Sequence, residues 1–299
     1  MRTERIRLWI GFAIISFVWG STWLAIKIGL HSVPPLTAAG MRFFLAGCIL
    51  WVIMKLRRIE VPVTPQLKRL YLFLILFSYS IPFAIVYWSQ QHIPSGLGSI
   101  LFSVFPFWVA VFSHLMLVSE RLNGYKLAGI GLGIVGLVII FFEDVHVSDP
   151  MGLLGMLGIV FTTIMQGLAL VLIKKHAQPV SPLALNFVGM TAGGALLLLA
   201  AFGFESMATI QWDESAIGSI LYLSIIGSVV TFVVYYWLLK RVEAVYLSLV
   251  SFINPIVAVV LGSVVLGETL AASVFVGAAF VLVGIVIANG KQLLTKLTA

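Results

Sequence analysis

The sequence predicts an all-α polytopic membrane protein of ten transmembrane helices, arranged as two inverted five-helix repeats. Three observations predict it. Of 299 residues, 61% are hydrophobic and 10% are charged, whereas a soluble globular chain carries about a quarter charged residues. Apolar runs of about the 20 residues that a helix needs to cross hydrocarbon recur along the whole chain. The basic residues between those runs fall on alternate connections, as the positive bias of cytoplasmic loops requires.

The runs cover residues 8–30, 36–56, 70–89, 95–118 and 124–142, then 151–174, 183–203, 215–239, 244–266 and 271–289. The first follows Arg2, Arg5 and Arg7, is longer than a signal-peptide core and lacks a convincing cleavage site, so it reads as a retained span. The connections are short and contain no Pro/Ser-rich linker, so any function lies within the spans or at their ends.

With the N-terminus inside, the cytoplasmic segments hold Arg2, Arg5, Arg7, Lys55, Arg57, Arg58, Lys68, Arg69, Arg121, Lys126, Lys174, Lys175, Lys240, Arg241, Lys291 and Lys296. Only Lys27 and Arg42 of the 18 Lys and Arg are left over. The external segments hold Glu143, Asp144, Asp149, Glu205, Asp213, Glu214 and Glu268. An even number of spans with both termini cytoplasmic satisfies every loop. The net charge of +7 is then a product of topology. It does not form a basic face for nucleic acid, and no nucleic-acid partner is expected. Cys48 is the single cysteine, so neither a disulfide framework nor a thiolate metal site is available.

Shifted by about 148 residues, the chain repeats itself. Gly20, Lys27 and Pro35 fall on Gly167, Lys174 and Pro182; Tyr87-Trp88 on Tyr236-Trp237; Ser99 and Pro106 on Ser248 and Pro255; Glu120 and Gly136 on Glu268 and Gly284. The expected units are residues 1–147 and 148–299. Because five spans is an odd number, the second copy enters the membrane from the opposite side. Inverted repeats recur in transporters, where two pseudo-symmetric halves exchange conformations around a central site.

The residues themselves resemble the ten-helix EamA-type permeases of the drug/metabolite transporter superfamily. The resemblance is carried by Trp19-Gly20-Ser21 with Lys27, by Arg42-Phe43, by Pro106 followed by Glu120-Arg121-Leu122, by Asn254-Pro255, and by Gly267-Glu268 followed by Gly277 and Gly284. It implies a central cavity lined by spans one, three, four, six, eight and nine, with five and ten peripheral. It also implies a place in the bacterial inner membrane and, among family members similar to aromatic amino acid exporters, a substrate of that kind.

Taken span by span, the candidate substrate contacts start with Trp19 and Ser21 in the first. Lys27 near its end, and Arg42 two turns into the second span, are the two cations that an anionic group would meet. Lys27 is expected to snorkel to the interface, and Arg42 to tie down a neighbouring helix end. In span three Tyr79, Phe83 and Tyr87 recur every four residues and share one face; the alternative is an interfacial aromatic belt. Spans four and nine each carry a small polar stripe running into a proline, Ser95, Ser99 and Ser103 before Pro106 and Ser248, Ser251 and Asn254 before Pro255, and Phe102 in span four is a further candidate contact. Proline removes a backbone donor, which places a kink or a freed carbonyl where a rocking half bends. Span six offers Thr162 and Gln166, and span eight Ser224, Ser228, Thr231 and Tyr235; such hydroxyls also bond their own helix. Glu120 and Glu268, at equivalent span ends, are expected to cap the helix that follows each.

No Asp or Glu falls near the middle of a span, so a deep carboxylate proton relay has no carrier, and facilitated movement or shallower coupling is the simpler expectation. His31, His92, His114, His146 and His176 show no metal-ligand spacing, and no Walker A loop is present. No metal, cofactor or catalytic group is expected. The expected function is a secondary transporter of small metabolites, most simply amino acids or related compounds, working by alternating access with a small-molecule substrate and the lipid bilayer as partners. Nothing sets an oligomeric state, and a monomer suffices. An exchanger of anionic or phosphorylated metabolites is the alternative, and an integral membrane enzyme or receptor the rival class.

Overall fold

The structure is a computed structural model that describes residues 2–117, 122–144, 150–177, 180–242, 247 and 250–297. Ten principal helices follow one another: α1 (Arg2–Gly29), α2 (Pro35–Arg57), α3 (Pro65–His92), α4 (Ser95–Met116), α5 (Gly124–Asp144), α6 (Pro150–His176), α7 (Pro182–Phe204), α8 (Glu214–Leu239), α9 (Val250–Leu266) and α10 (Ala272–Leu297). No strand occurs among the described residues. Eight helices are long and apolar enough to span a bilayer, and shorter apolar segments, Ile253–Leu266 and Ala272–Ala288, lie in the last two. The chain is an all-α membrane protein of ten helices.

Local chemistry sets the helix starts. Pro35, Pro65 and Pro182 occupy first turns, where a missing N–H leaves no partner wanting. Thr64 and Ser181 accept from the N–H groups of Leu67 and Leu183. Asp213 does the same for Ala216 ahead of α8. The Ser32 hydroxyl also donates to Asp213 at 2.6 Å, and these bonds hold its carboxyl below the ordinary carboxylate range.

Three spans are less regular than the apolar pattern predicts. α3 widens into a π turn at Ile75–Ser80 and α8 into another at Ile225–Val230. In each, a hydroxyl reaches the carbonyl five residues back: Ser80 to Ile75 at 2.7 Å and Thr231 to Ile226 at 3.2 Å. π turns leave carbonyls off the regular ladder. α4 breaks at Ser103 and Val104, and Pro106 opens its second piece. Pro255 stays inside continuous α9, so the two matched prolines do different things.

The outer pairs pack antiparallel on glycine. Along α5 and α10, Gly129 meets Gly284 and Ala288, and Gly136 meets Gly277 and Val281. Along α2 and α7, Gly40 meets Leu198 and Gly47 meets Thr191. Small residues permit this approach, which supplies much of helix association where lipid removes the hydrophobic incentive. α1 packs against α8 and α9, while α6 packs against α3 and α4. Large apolar side chains such as Phe17, Leu199, Phe202 and Val264 stand exposed on the outside, where lipid is the solvent.

Carboxylates stitch one end of the bundle. Glu205 accepts from Leu36 N at 2.6 Å, Thr37 N at 2.9 Å and the Thr37 hydroxyl at 2.8 Å. Glu268 accepts from Ser95 N at 2.8 Å, the Ser95 hydroxyl at 2.7 Å and Gly96 N at 3.3 Å. Glu268 therefore caps α4, not the helix that follows it in sequence. The reason is geometric: Pro94 precedes α4, its first N–H groups are free, and the positive end of the helix faces the Glu268 loop. Glu120 lies outside the described residues.

Candidate functional site

An open cavity of about 850 Å³, a volume that includes solvent space at its mouth, lies among the helices. α1 lines it with Trp19, Thr22, Trp23 and Ile26, whose three- and four-residue spacings put them on one helix face. α3 adds Ser78, Phe83 and Val86, α4 Phe102 and Phe105, α6 Gln166 and Leu170, α8 Phe232, Tyr235 and Tyr236, and α9 Asn254. Among the described residues, none of α5 or α10 lines it. α2 contributes a single group, Arg42.

The walls are aromatic. Trp19 packs its ring 4.7 Å from Tyr235 and 5.1 Å from Phe232, and Trp23 lies 5.8 Å from Phe102, which stacks on Phe105 at 5.7 Å. Against them stands the Arg42 guanidinium, 2% exposed. Its Nε donates to the Ser228 hydroxyl at 2.9 Å, Nη2 to the Gly227 carbonyl at 3.2 Å and Nη1 to the Tyr87 hydroxyl at 3.5 Å. It also lies 4.9 Å from the Phe43 ring centroid and 5.2 Å from that of Phe83. Gly227 and Ser228 belong to the π turn of α8.

Of the residues singled out from sequence, Trp19, Phe83, Phe102, Gln166, Tyr235, Asn254 and Arg42 come together at the cavity. Tyr87 and Ser228 stand behind it as the neutral partners of Arg42. Tyr79 is fully buried beneath it, donating to Asn186 Oδ1 at 2.8 Å and packing 5.6 Å from Phe232. Ser21 instead shares a 2.6 Å hydrogen bond with the Tyr222 hydroxyl. Ser99 is buried away from the cavity lining, its hydroxyl without a partner among the described residues. The Ser251 side chain lies outside the described residues. Asn254, its amide nitrogen turned toward acceptors, donates to the carbonyls of Ser16 at 2.9 Å and Val250 at 3.0 Å, tying α9 to α1. The hydroxyls of Thr162, Ser224 and Thr231 bond carbonyls of their own helices.

Lys27 is not among the residues that line the cavity. Its Nζ donates to the carbonyls of Gln90 at 2.6 Å and Ile93 at 2.9 Å, at the end of α3. Those last carbonyls have no partners along the helix, and a cation satisfies them. Arg42, expected to tie down a helix end, bonds the Gly227 carbonyl in the π turn of α8 instead, sharing it with the Thr231 hydroxyl.

Trp23, Phe105, Phe232 and Tyr236 escaped the sequence reading. Two of them were signalled by spacing: Trp23 follows Trp19 by one helical turn, and Phe232 precedes Tyr236 by one. Among the described residues no three His, Cys, Asp or Glu gather as a metal site.

The profile described as the EamA-like transporter family matches the chain twice, at residues 7–142 and 153–290. The chain belongs to this family. This EamA-like protein is 28% identical over 280 residues to "Uncharacterized transporter YoaV" of Bacillus subtilis (strain 168), which covers 94% of this chain and 96% of the relative. It is 29% identical over 265 residues to "Protein PagO" of Salmonella typhimurium, covering 88% of this chain and 86% of that one. It is 28% identical over 258 residues to "Uncharacterized inner membrane transporter YedA" of Escherichia coli K12, covering 85% and 81%. One solved crystal structure superposes with a TM-score of 0.73 at 19% identity over 99% of both chains, which shows a shared fold.

The Tyr79 hydroxyl gives a first prediction for this EamA-like protein. Tyr79→Phe leaves Asn186 Oδ1 buried without its donor and is expected to cost about 1–2 kcal/mol of stability. Thermal unfolding in detergent checks it, and an unchanged transition would show that the oxygen is satisfied elsewhere.

Proposed function

We propose that the protein is a secondary transporter that carries small metabolites with an apolar body, most simply amino acids or related compounds, across the bacterial inner membrane by alternating access. The observation that carries this reading is a cavity walled by aromatic side chains and one cation, with helices from both matched segments contributing to it. Trp19, Phe83, Phe102, Tyr235 and the amides of Gln166 and Asn254 are the proposed substrate contacts.

The antiparallel pairing of α5 with α10 and of α2 with α7 supports two inverted units, residues 1–147 and 148–299. Equivalent helices meeting across an axis in the membrane plane must run in opposite directions. The loop charges support cytoplasmic termini. A second reading, exchange of anionic or phosphorylated metabolites, is favoured by one observation, the guanidinium of Arg42 in the cavity wall.

Purified protein in liposomes tests the proposal with a panel of labelled amino acids and organic anions. Flux without chemical change is expected. Trp19→Ala and Tyr235→Ala are each expected to lower it about tenfold, the equivalent of about 1.4 kcal/mol of lost contact, while the protein still folds. Product formation, or no flux of any solute, would overturn the reading.

A further inference from the structure

Arg42 is a charge in the wrong solvent. It is buried inside the bundle, and no carboxylate among the described residues pairs with it. Its three protein acceptors are a hydroxyl, a phenol and a carbonyl, all neutral. A guanidinium carries five N–H donors and three have an acceptor among the described residues, so about two are left over on a side chain that lines the cavity. Burying an ion without a counter-ion is costly, and an ionisable side chain inside a span ordinarily marks a ligand or a pathway. Lys27 shows the contrast, since its ammonium is spent on two carbonyls off the cavity.

The remaining donors of Arg42 suit a planar anion. A guanidinium fork matches the two oxygens of a carboxylate, with both geometry and charge contributing. Beside it, the ring of Phe83 and the Trp19, Tyr235 and Phe102 walls offer apolar faces for the rest of the molecule. An ammonium is served differently. No Asp or Glu among the described residues lines the cavity, so a substrate amino group finds only carbonyls, amides and ring faces. A zwitterion leaves the cavity with its net positive charge, whereas a monocarboxylate cancels it.

We infer that Arg42 is the carboxylate anchor of this cavity, and that its ligands are aromatic or branched apolar carboxylates in which an amino group adds no affinity. The inference rests on the transporter reading and narrows its substrate class to apolar carboxylates, with amino acids as the weaker members. It also assigns α8 a part, because Gly227 and Ser228 of the π turn hold the same guanidinium whose remaining donors the carboxylate takes. Occupancy of Arg42 thereby reaches a helix segment whose backbone bonding is already irregular.

The test is calorimetric binding to the purified full chain in detergent at neutral pH, with phenylpyruvate, phenylalanine, phenethylamine and phenyl phosphate as probes. Phenylpyruvate is expected to bind about tenfold or more tighter than phenylalanine, and phenethylamine not at all. Arg42→Gln is expected to lower phenylpyruvate binding at least thirtyfold, with Arg42→Lys in between, because lysine keeps the charge and loses the fork. Phenethylamine binding as tightly as phenylpyruvate, or a folded Arg42→Gln protein binding phenylpyruvate unchanged, would overturn the inference. Phenyl phosphate binding more tightly than phenylpyruvate would move the anchor from carboxylate to phosphate and overturn the substrate class. The wild-type series stands whether or not the variants fold. Liposome flux of other solutes with no binding of these carboxylates would sink the anchor and leave the transport proposal intact.

Discussion

Gly136→Leu is expected to separate α5 from α10 and to cost about 3 kcal/mol or more. A β-carbon at Gly136 would stand 2.5 Å from the Gly277 carbonyl oxygen, 2.7 Å from Val281 Cγ2 and 2.9 Å from Val281 N. Two of those atoms are backbone, so a rotamer change cannot relieve the clash and the helices must move apart. Overpacking of this kind costs about 1–3 kcal/mol in soluble cores. In lipid the lost close approach is also a lost source of association, since dispersion between the helices replaces the hydrophobic term. Gly131→Leu supplies the control, because a β-carbon there meets nothing within 4 Å. It is expected to change stability by less than about 0.5 kcal/mol. Thermal unfolding of both variants in one detergent decides the matter: equal transitions would show that the glycine contact carries no special weight.

The second large effect is expected at Glu268. Glu268→Ala strips three hydrogen bonds from the start of α4, from Ser95 N, the Ser95 hydroxyl and Gly96 N. The Ser95 side chain is buried, so those donors lose their acceptor without gaining bulk water. Charge-assisted bonds contribute about 1.5–3 kcal/mol each at most, and their losses at one cap do not add fully. A total near 3 kcal/mol is the expectation. Glu268 also acts electrostatically on Lys27, so the variant removes a tie between the α9–α10 connection, α4 and α1 together. Glu268→Gln keeps one acceptor oxygen and is expected to restore about half. Hydrogen exchange at the Ser95 to Gly98 amides separates the cases, since protection should fall in the alanine variant and recover partly in the glutamine variant. Exchange unchanged in both would mean that the cap does not hold this helix end.

These two positions differ in how much of their role the chain alone discloses. Gly136 was matched with Gly284 as a repeat anchor, and glycine in an apolar span is a standing signal of close packing. What it packs on came from the fold: Gly277 and Val281 instead of its repeat mate, because antiparallel neighbours meet in mirrored register. Glu268 was assigned a capping role, correctly in kind and incorrectly in target. A carboxylate is drawn to any unsatisfied helix start, and the nearest in space is that of α4, more than a hundred residues earlier in the chain.

The same division runs through the cavity. Gln166 and Asn254 were found because a lone amide is costly to leave in lipid, and Trp19, Phe83, Phe102 and Tyr235 because they fall in the matched motifs or on aromatic and polar stripes at helical spacing. Ser21 and Ser99 were selected by the same rule and turned out to serve helix contacts or nothing visible. A hydroxyl satisfies itself on its own helix, so its presence says little about direction. The π turns of α3 and α8 had no sequence mark at all, since they are one extra residue in a ladder of apolar side chains.

By itself, then, the sequence determined the number of membrane helices, their class and the family to which the chain belongs. Hydropathy and helix length are sums along the chain, so they need no knowledge of neighbours. Only the tertiary structure decided that Arg42 and not Lys27 stands in the cavity wall, and that Gly227 of a π turn receives it. Spans that are apolar on every side carry no stripe to orient them, so their rotation is set by the helices they pack against, and with it the face that a buried charge presents.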